Sequence, residues 1–409
     1  MKVLQINVLY RRGSTGKIVN DLNQMLKRNG YESYVCYGRG KAPKEPGVYK
    51  ISSDIEAKLQ ALFARFGALQ YGGAYFATSK LLRLLKKIKP DIVHLHCING
   101  YTVNIYRLMN FLKKNGIPTV LTLHAEFMYT GSCGHSYECE KWKSGCGSCP
   151  HLKDATRSLF IDRTEKSWRL MKNAFDNFDV RIVSVSDWLE QRAKQSPILK
   201  GKKFQVIYNG VDTETFKPRD CQGLKSIFNI TNEKTLLFVT PSFKNDAKGG
   251  KYIIELAKRL LGQKVKIFIL GFDGDYKNLP ENIVAIRFIN SQEELSEFYS
   301  LADLTLLASK RETFSMVVAE SLCCGTPVVG FKAGAPELIA LENTCEFVEY
   351  GDVQALYDAV IKNLNKKRSL SQLEQQKWLE EARKRYSKEA MFLQYDTIYK
   401  ELVIKGVAK

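Results

Sequence analysis

The sequence predicts an α/β protein made of two Rossmann-like, doubly wound domains that face each other across a cleft. At 409 residues the chain is too long for one ordinary core, and its 44% hydrophobic content is enough to fill two. Short apolar runs alternate with amphipathic helical sequence, which is typical of a parallel sheet covered on both faces. This pattern restarts after the polar, turn-rich stretch 209–220, which we interpret as an interdomain linker.

The predicted strands are short apolar segments separated by helical sequence. They read KVLQINVLY, SYVCYG, DIVHLHCI, TVLTLHA, RIVSVSD and FQVIYNG in the first half, and TLLFVTP, VKIFILG, IVAIRFI, LTLLAS and TPVVGF in the second. These segments predict an N-terminal domain over 1–208 and a C-terminal domain over 209–385. Ligands of doubly wound sheets bind at the carboxyl ends of the strands, where the strand order reverses, so a site is expected at that edge.

The net charge of +19 predicts an anionic partner, such as nucleotide phosphates, nucleic acid or an acidic membrane surface. One dense basic segment, 79–90, combines five Lys and Arg residues with five Leu and Ile residues. It is either a basic amphipathic helix on a membrane surface or a helix that packs its leucines on a sheet and leaves its lysines in water. Against nucleic acid, the basic residues are dispersed and no recognition motif is present.

No apolar run approaches the about 20 residues that span a bilayer. The N-terminus is a short apolar strand followed by a basic loop, which is the reverse of a secretory signal. We therefore expect a cytoplasmic protein, with the inner face of the cell membrane as an additional location.

Four of the ten cysteines form a cluster inside a Cys-rich insert, 131–151. They are separated by five, six and two residues, and they are Cys133, Cys139, Cys146 and Cys149. Four thiols in a cytosolic chain suit a tetrahedral structural zinc site, which would hold together a loop without its own core. Free or redox-active thiols are the alternative, because the spacing is not that of a common zinc finger.

The segment KRETFSMVVAESLCCGTPVVGFKAGAPEL, 310–338, combines a strand end, a loop, a helix and a returning strand. Glu312 lies in the loop and Glu320 inside the helix. Two carboxylates so far apart in sequence are not expected to bind the same pair of hydroxyl groups. They suit the two ends of an elongated ligand whose middle lies against the helix N-terminus, where free backbone N–H groups attract phosphate. A nucleotide sugar has that shape.

This segment resembles the Glu-x7-Glu signature and Gly-Thr-Pro-Val-Val return of the family four glycosyltransferases, retaining enzymes of the GT-B fold, and the resemblance spans nearly the whole chain. It implies that Glu312 contacts the donor sugar and Glu320 the ribose. The backbone from Thr313 through Phe314, Ser315 and Met316 would support the sugar and the diphosphate. It also implies that the C-terminal helix, 386–409, crosses back to the first domain.

Other donor-side residues follow from the same resemblance. The loop RRGSTGKI places Gly16 and Lys17 at a strand-to-helix turn that lines the cleft opposite the diphosphate. Lys248 matches the family's clamp lysine. The arginine usually found a few residues earlier is absent, and Lys244 is its candidate substitute. The backbone near 288–289, Phe288 and Ile289, would face the base.

Three of the five histidines close apolar strands. The resemblance assigns His124 to the donor hexose, which makes it a catalytic candidate beside Glu312 and Lys248. A second group of residues is expected on the acceptor side, namely His96, Asn99 and Glu126. In the family, an acidic residue usually follows the histidine directly. Here Ala125 follows His124, and Glu126, one position later, is the candidate substitute.

The predicted function is retaining transfer of a hexose or N-acetylhexosamine to a saccharide, in surface polysaccharide or capsule biosynthesis. The donor would be a UDP- or GDP-linked sugar, and the acceptor lipid-linked. In this mechanism, Lys248 and the backbone amides at the helix N-terminus stabilise the charge of the leaving diphosphate, so no catalytic metal is expected. Alternatives are a GT-B epimerase or hydrolase, a phosphorylase, which would need a pyridoxal-bearing lysine, or a basic zinc-stabilised nucleic-acid-binding protein.

Overall fold

The computed structural model describes residues 1–41, 44–67, 69–289, 291–366 and 372–407. The chain divides into two compact units. Unit 1 contains Met1–Tyr208 and the chain from Met391 onward, and unit 2 contains Asn209–Ala390. Unit 2 thus extends a few residues past the boundary at 385 that the sequence predicts. Among the described residues, no helix combines the length and the apolar character needed to cross a membrane.

The described part of unit 1 contains one parallel sheet in the order β3-β2-β1-β4-β5-β6-β7. Its strands are β1 (Lys2–Asn7), β2 (Glu32–Tyr37), β3 (Val48–Lys50), β4 (Ile92–Leu95), β5 (Thr119–Leu123), β6 (Val180–Ser184) and β7 (Lys203–Val206). Its helices are α1 (Gly13–Arg28), α2 (Asp54–Arg65), α3 (Tyr75–Ile88), α4 (Ile105–Lys114), α5 (Phe127–Thr130), α6 (Thr164–Phe175) and α7 (Asp187–Ala193). The strand order reverses between β1 and β4.

The described part of unit 2 repeats this plan in the order β10-β9-β8-β11-β12-β13, again parallel. Its strands are β8 (Lys234–Val239), β9 (Val265–Leu270), β10 (Ile283–Ile286), β11 (Leu304–Leu307), β12 (Val328–Phe331) and β13 (Cys345–Val348). Its helices are α8 (Gln222–Ile227), α9 (Gly250–Arg259), α10 (Gln292–Leu301), α11 (Met316–Cys323), α12 (Ala335–Ile339), α13 (Val353–Lys366) and α14 (Gln372–Tyr386). The order is that of a Rossmann fold, which confirms the predicted fold class.

The last helix, α15 (Lys388–Val407), packs on unit 1 from Met391 onward. The Tyr399 hydroxyl lies 2.7 Å from Nδ1 of His94, whose Nε2 lies 2.7 Å from the Thr122 hydroxyl. The Tyr395 hydroxyl lies 2.8 Å from the same threonine oxygen. His94 therefore ties the helix to β4 and β5, which gives this buried histidine a structural role.

The predicted linker is firmly attached to unit 2. The amide of Val211 donates to the carbonyl of Tyr386, and Asp212 forms an ion pair with Lys388. Asp212 also accepts from the amides of Glu214 and Thr215, which fixes the turn. The stretch is polar because its side chains cap this turn.

The basic segment 79–90 was expected either to lie on a membrane surface or to pack its leucines on the sheet, and the exposure of residues in α3 decides between the two. Its leucines Leu81 and Leu85 are buried in unit 1, whereas Lys80, Arg83 and Lys86 are exposed. The apolar face is therefore used by the core, and only the basic face is available to a partner.

Candidate active site

The candidate site of unit 2 lies where its strand order reverses. β8 and β11 are adjacent in the sheet although they are not consecutive in the chain. The loop after β8 carries Lys244 and Lys248, and the loop after β11 carries Glu312. Since parallel strands end at the same edge, the topology alone brings these loops together.

Two glycines allow the tight packing at this edge, Gly249 between the two loops and Gly250 against the loop after β8. Gly249 has φ +75°, and a Cβ built on it would lie 2.1 Å from the carbonyl oxygen of Ala308 at the end of β11. A Cβ on Gly250 would lie 2.6 Å from the carbonyl oxygen of Phe243. The amide of Lys310 donates to the carbonyl of Ala247 at 2.8 Å, which joins the loops directly. The Lys-Gly-Gly sequence is thus a packing requirement of this site.

Lys248 and Glu312 form an ion pair across the two loops, with Nζ 2.6 Å from Oε1. The lysine side chain is 27% exposed and the glutamate 19%, so both remain accessible to a small ligand. The Glu312 backbone is fixed, because its amide donates to Ala333 and its carbonyl accepts from Ala335. A cation and a carboxylate are therefore held side by side at the sheet edge.

Helix α11 begins next to Glu312 with a strained residue. Ser315 has φ +88°, an unfavourable conformation for a residue other than glycine, and its hydroxyl accepts from the amide of Val318. Phe314 is buried, which anchors the turn, while Thr313 and Met316 are half-buried. The first turn of a helix has amides without intrahelical acceptors, so this end favours an anion.

Glu320 lies one turn inside α11 and is half-buried. The Tyr299 hydroxyl donates to its Oε2 at 3.1 Å. Burial, followed by the nearby Glu320 charge, raises the pKa of Tyr299 well above its usual range, so the phenol stays a donor. This bond orients one carboxylate oxygen of Glu320.

The loop after β9 contains a residue that the sequence analysis missed. Asp273 accepts from the Ser242 hydroxyl at 2.7 Å and from the Lys244 amide at 2.9 Å. The Ser242 bond and the backbone amides hold its pKa below the usual range. Asp273 and Asp275 form an Asp-Gly-Asp sequence, the spacing of paired metal-binding carboxylates, and Asp275 accepts from the Lys277 amide. Both aspartates thus cap backbone amides, and Asp273 shapes the turn that carries Lys244.

A second missed residue is Glu337 in the GAPEL sequence. Its carboxylate accepts from the amides of Ala333 and Gly334 at 3.1 Å. These two amides belong to the strand-to-helix turn that contacts the Glu312 backbone. Glu337 therefore supports Glu312 indirectly.

The remaining donor-side candidates lie after β10, where the Phe288 side chain is 76% exposed and Ile289 is half-buried.

In unit 1, Gly16 closes the first turn of α1 and Lys17 follows it directly. The Gly16 carbonyl accepts from the Arg11 amide, and a Cβ on Gly16 would lie 3.4 Å from backbone atoms of Leu9 and Arg11. Gly16 thus allows the loop to fold tightly over the helix start. The Lys17 side chain is exposed.

Three histidine rings stack at the carboxyl ends of β4 and β5. His96 Nδ1 lies 3.2 Å from His124 Nε2, and the His94 and His96 ring centroids are 3.9 Å apart. Burial lowers the pKa of His124 to about 4, and burial together with its histidine neighbours lowers the pKa of His96 well below its usual range. These rings are neutral at neutral pH. Asn99 is half-buried in the loop after β4.

Comparison with known proteins assigns the family. The family profile "Glycosyltransferase Family 4" matches residues 15–215, and the profile "Glycosyl transferases group 1" matches residues 233–366. Together they cover most of the chain. The chain belongs to the family four glycosyltransferases.

Individual relatives of this glycosyltransferase are distant. A putative colanic acid biosynthesis glycosyl transferase of Escherichia coli, WcaC, is 23% identical over 82% of this chain and 84% of the relative. The N-acetyl-alpha-D-glucosaminyl L-malate synthase of Bacillus anthracis is 21% identical over 96% of this chain and 94% of the relative.

Solved structures share its GT-B fold. Sucrose-phosphate synthase from Thermosynechococcus elongatus has a TM-score of 0.73 at 16% identity, over 99% of this chain and all of that one. The Anabaena protein HepE in complex with UDP has a TM-score of 0.69 at 15% identity, over 98% of this chain and all of that one.

Glu126 was expected among the acceptor-side residues, but in this glycosyltransferase it is an interior residue. The residue is fully buried, and Arg192 Nε lies 3.4 Å from its Oε1. Its Oε2 accepts from the amide of Ser136 in the Cys-rich insert. Because a buried carboxylate must be paired, Glu126 and Arg192 are committed to holding the insert in place.

The four clustered cysteines of the glycosyltransferase line one cavity of about 20 Å³ in unit 1. Burial raises the pKa of Cys133 and Cys146 to about 12 and also raises the pKa of Cys149. As the side chains stand, no group of three or more His, Cys, Asp or Glu within the described residues is arranged to hold a metal ion. The insert also has an apolar anchor, the buried Trp142. The Trp142 ring packs edge-on against Tyr129 of α5, so the insert is anchored to the rest of unit 1.

Proposed function

We propose that this glycosyltransferase transfers a hexose or an N-acetylhexosamine from a nucleotide-diphosphate sugar to a saccharide hydroxyl, with retention of anomeric configuration. One observation carries the proposal: the Lys248–Glu312 pair stands at the strand-order reversal of unit 2, beside the N-terminus of α11. A cation, oriented amides and a carboxylate in one place match a diphosphate joined to a hydroxylated sugar.

In the proposed reaction, the acceptor oxygen forms a bond to the anomeric carbon while the bond from that carbon to the diphosphate breaks. The leaving phosphate takes the acceptor proton from the same face, which accounts for retention. Negative charge grows on the diphosphate as it departs. Lys248 and the first amides of α11 stabilise that charge, the role that usually contributes most in such chemistry.

The two glutamates recognise the two ends of the donor. Glu312 accepts hydrogen bonds from the sugar hydroxyls, and its carboxylate is already fixed by Lys248 and by its own backbone. Glu320 accepts from the ribose hydroxyls, and the Tyr299 hydroxyl holds its carboxylate in place. Lys244 is a second cation for the diphosphate, on the turn shaped by Asp273. The role of His124 remains a prediction of the family resemblance.

The biological context is proposed from the relatives. WcaC is a putative colanic acid biosynthesis glycosyl transferase, and HepE has been solved with UDP and with UDP-glucose. We therefore propose surface polysaccharide or capsule assembly as the process, a UDP- or GDP-linked sugar as donor, and a lipid-linked saccharide as acceptor.

A coupled assay tests this function. The purified protein is incubated with UDP-, GDP- and ADP-linked sugars, with and without a crude lipid-linked acceptor fraction, and released nucleoside diphosphate is measured. The proposal expects release from a UDP or GDP sugar that increases with acceptor, and a product with the anomeric configuration of the donor. Release without sugar transfer would instead indicate the epimerase or hydrolase alternative.

A structural zinc ion at the cysteine cluster is a separate proposal. It is supported by four thiols around one cavity large enough for about one water molecule. The thiols would need to lose their protons and turn towards the ion, which zinc binding promotes. The ion would stiffen the insert and take no part in the transfer.

A further inference from the structure

Helix α2 is built with its apolar face outward. Its inward residues Ala57 and Ala64 are small and buried. Large apolar residues recur at helical spacing on the opposite face, where each residue is 47% exposed or more; they are Ile55, Leu59, Leu62 and Phe63 in the helix and Phe66 directly after it. An amphipathic helix in a soluble protein normally has the reverse orientation.

A second segment extends this apolar surface at the C-terminal end of α2. The Phe66 and Phe160 rings are stacked with centroids 6.4 Å apart, and Phe160 is 74% exposed. The Leu159 amide donates to the Arg65 carbonyl at 2.9 Å. A Cβ built on Gly67, at φ +97°, would lie 2.6 Å from Ile161 Cδ1, so the two segments are in close contact.

The other end of α2 meets the start of α3, where Tyr75 and Phe76 are also exposed, Phe76 by 85%. Glu56 accepts from the Ala77 amide at 3.1 Å, which fixes this junction. We call α2, Phe66, Tyr75, Phe76 and residues 159–161 the α2 patch. It holds more than half of the large exposed apolar side chains found in the described residues. A concentration of this kind marks an interaction surface.

Basic residues surround the α2 patch. Exposed cations lie within or beside its segments, namely Lys58, Arg65, Lys153, Arg157 and Arg163. Two nearby acids are engaged by the protein itself: Asp54 accepts from Lys50 and the Gly40 amide, and Asp162 accepts from the Cys149 amide and from Thr164. The basic face of α3 adds further positive charge.

We propose that the α2 patch inserts into the headgroup region of an anionic phospholipid bilayer. Apolar side chains at helical spacing with flanking lysines and arginines are the pattern of a helix that lies in a membrane interface. A second copy of this chain is disfavoured as occupant, because two equally basic surfaces repel each other. The inference is independent of the proposed reaction, since it rests on exposure and charge in unit 1.

Vesicle flotation tests the proposal on the full-length protein. Vesicles of phosphatidylcholine alone are compared with vesicles containing phosphatidylglycerol, at low and high salt. We expect the wild-type protein to float with the anionic vesicles, less at high salt. Phe66→Ser with Phe160→Ser should lower the partition coefficient about a hundredfold, because burial of each Phe contributes about a factor of ten or more.

Two further variants keep the test decisive. Leu59→Ser with Phe63→Ser removes apolar area from the middle of α2 and leaves the Phe66–Phe160 stack intact, and it should weaken flotation in the same way. Ile227→Ser removes an exposed apolar residue of unit 2 and should have no effect. All variants are checked for an unchanged Tm.

The proposal is overturned if the wild-type protein does not float with anionic vesicles, or if both patch variants float as it does. It is also overturned if sedimentation velocity shows a dimer that the patch variants abolish while vesicle binding is absent. That result would assign the surface to a second copy of the chain.

Discussion

The Nζ atom of Lys248 lies 2.6 Å from Oε1 of Glu312, across two loops that are 64 positions apart in the sequence. Gly249 and the Lys310 amide bring these loops into contact, so the pair is a product of the fold. The ion pair holds each side chain where a sugar diphosphate needs it. Most of the predictions below follow from this arrangement.

Lys248→Met should lower kcat about a hundredfold or more, because it removes the cation that stabilises the departing diphosphate. Glu312 would be left without its partner, so Tm is measured to separate a folding defect from a catalytic one. Lys258→Met, which removes an exposed lysine of α9, is the matched control and should retain wild-type activity. Similar activity in the two variants would exclude a role for Lys248 in the transfer.

Glu320→Ala should raise the Kd for the nucleoside diphosphate about ten- to a hundredfold, since hydrogen bonds to a carboxylate contribute about 1.5–3 kcal/mol each. Tyr299→Phe removes only the orienting bond and should change this Kd about threefold or less. Isothermal titration calorimetry measures both. Unchanged affinity in Glu320→Ala would show that the residue does not bind the ribose.

Gly249→Ala should destabilise unit 2 by about 2 kcal/mol more than Gly262→Ala. Both glycines have positive φ, of +75° and +81°, so both variants carry the same backbone strain. Only the Cβ at 249 meets the Ala308 oxygen, whereas the Cβ at 262 has no atom within 4 Å. The difference therefore isolates the cost of overpacking at the loop contact. Equal denaturant midpoints for the two variants would contradict this explanation.

Elemental analysis tests the zinc proposal. Protein purified under reducing conditions without added metal should contain about one zinc per chain, if four thiols close one site. Cys146→Ser with Cys149→Ser should lose the metal and lower Tm, whereas Cys221→Ser in unit 2 should keep it. A wild-type protein without zinc would favour the alternative of free thiols.

The histidine stack predicts acid sensitivity. In the unfolded chain a histidine takes up a proton below about pH 6.5, whereas burial lowers the native pKa of His124 to about 4. The unfolded state therefore binds more protons in this interval, and the free energy of unfolding falls as the pH decreases from about 6.5 towards 4. Each such histidine contributes a slope of up to about 1.4 kcal/mol per pH unit.

Urea denaturation at several pH values measures that slope. His124→Asn should reduce it, while His151→Asn, a substitution outside the stack, should leave it unchanged. A wild-type protein whose stability is the same at pH 7 and pH 4.5 would show that the buried rings do not govern its acid response.

The fold could be predicted from the sequence because most strands are continuous apolar runs bounded by turns. The two strands that were missed, β3 and β13, are three and four residues long and only half-buried. They lie at sheet edges, so one side of each is unpaired and their sequence carries a weaker apolar signal. Periodicity alone does not identify such segments.

The candidate site was only partly predictable for a different reason. Glu312 and Lys248 belong to short motifs, whereas Asp273, Tyr299 and Glu337 act through hydrogen bonds that depend on the tertiary fold. The Glu126 interpretation shows the opposite problem. Its position two residues after His124 suggested a contact with the acceptor, but Glu126 is buried and paired with Arg192, 66 positions later.

The central claim is that a nucleotide-diphosphate sugar binds unit 2 at the Lys248–Glu312 pair, and calorimetric titration tests it most directly. UDP-, GDP- and ADP-linked sugars are titrated into the wild-type protein and into the Lys248→Met, Glu320→Ala double variant. We predict that at least one sugar binds the wild-type protein and that its affinity falls about a hundredfold or more in the variant. Equal affinity of the two proteins for that sugar, or no binding of any of the three to the wild-type protein, would contradict the account.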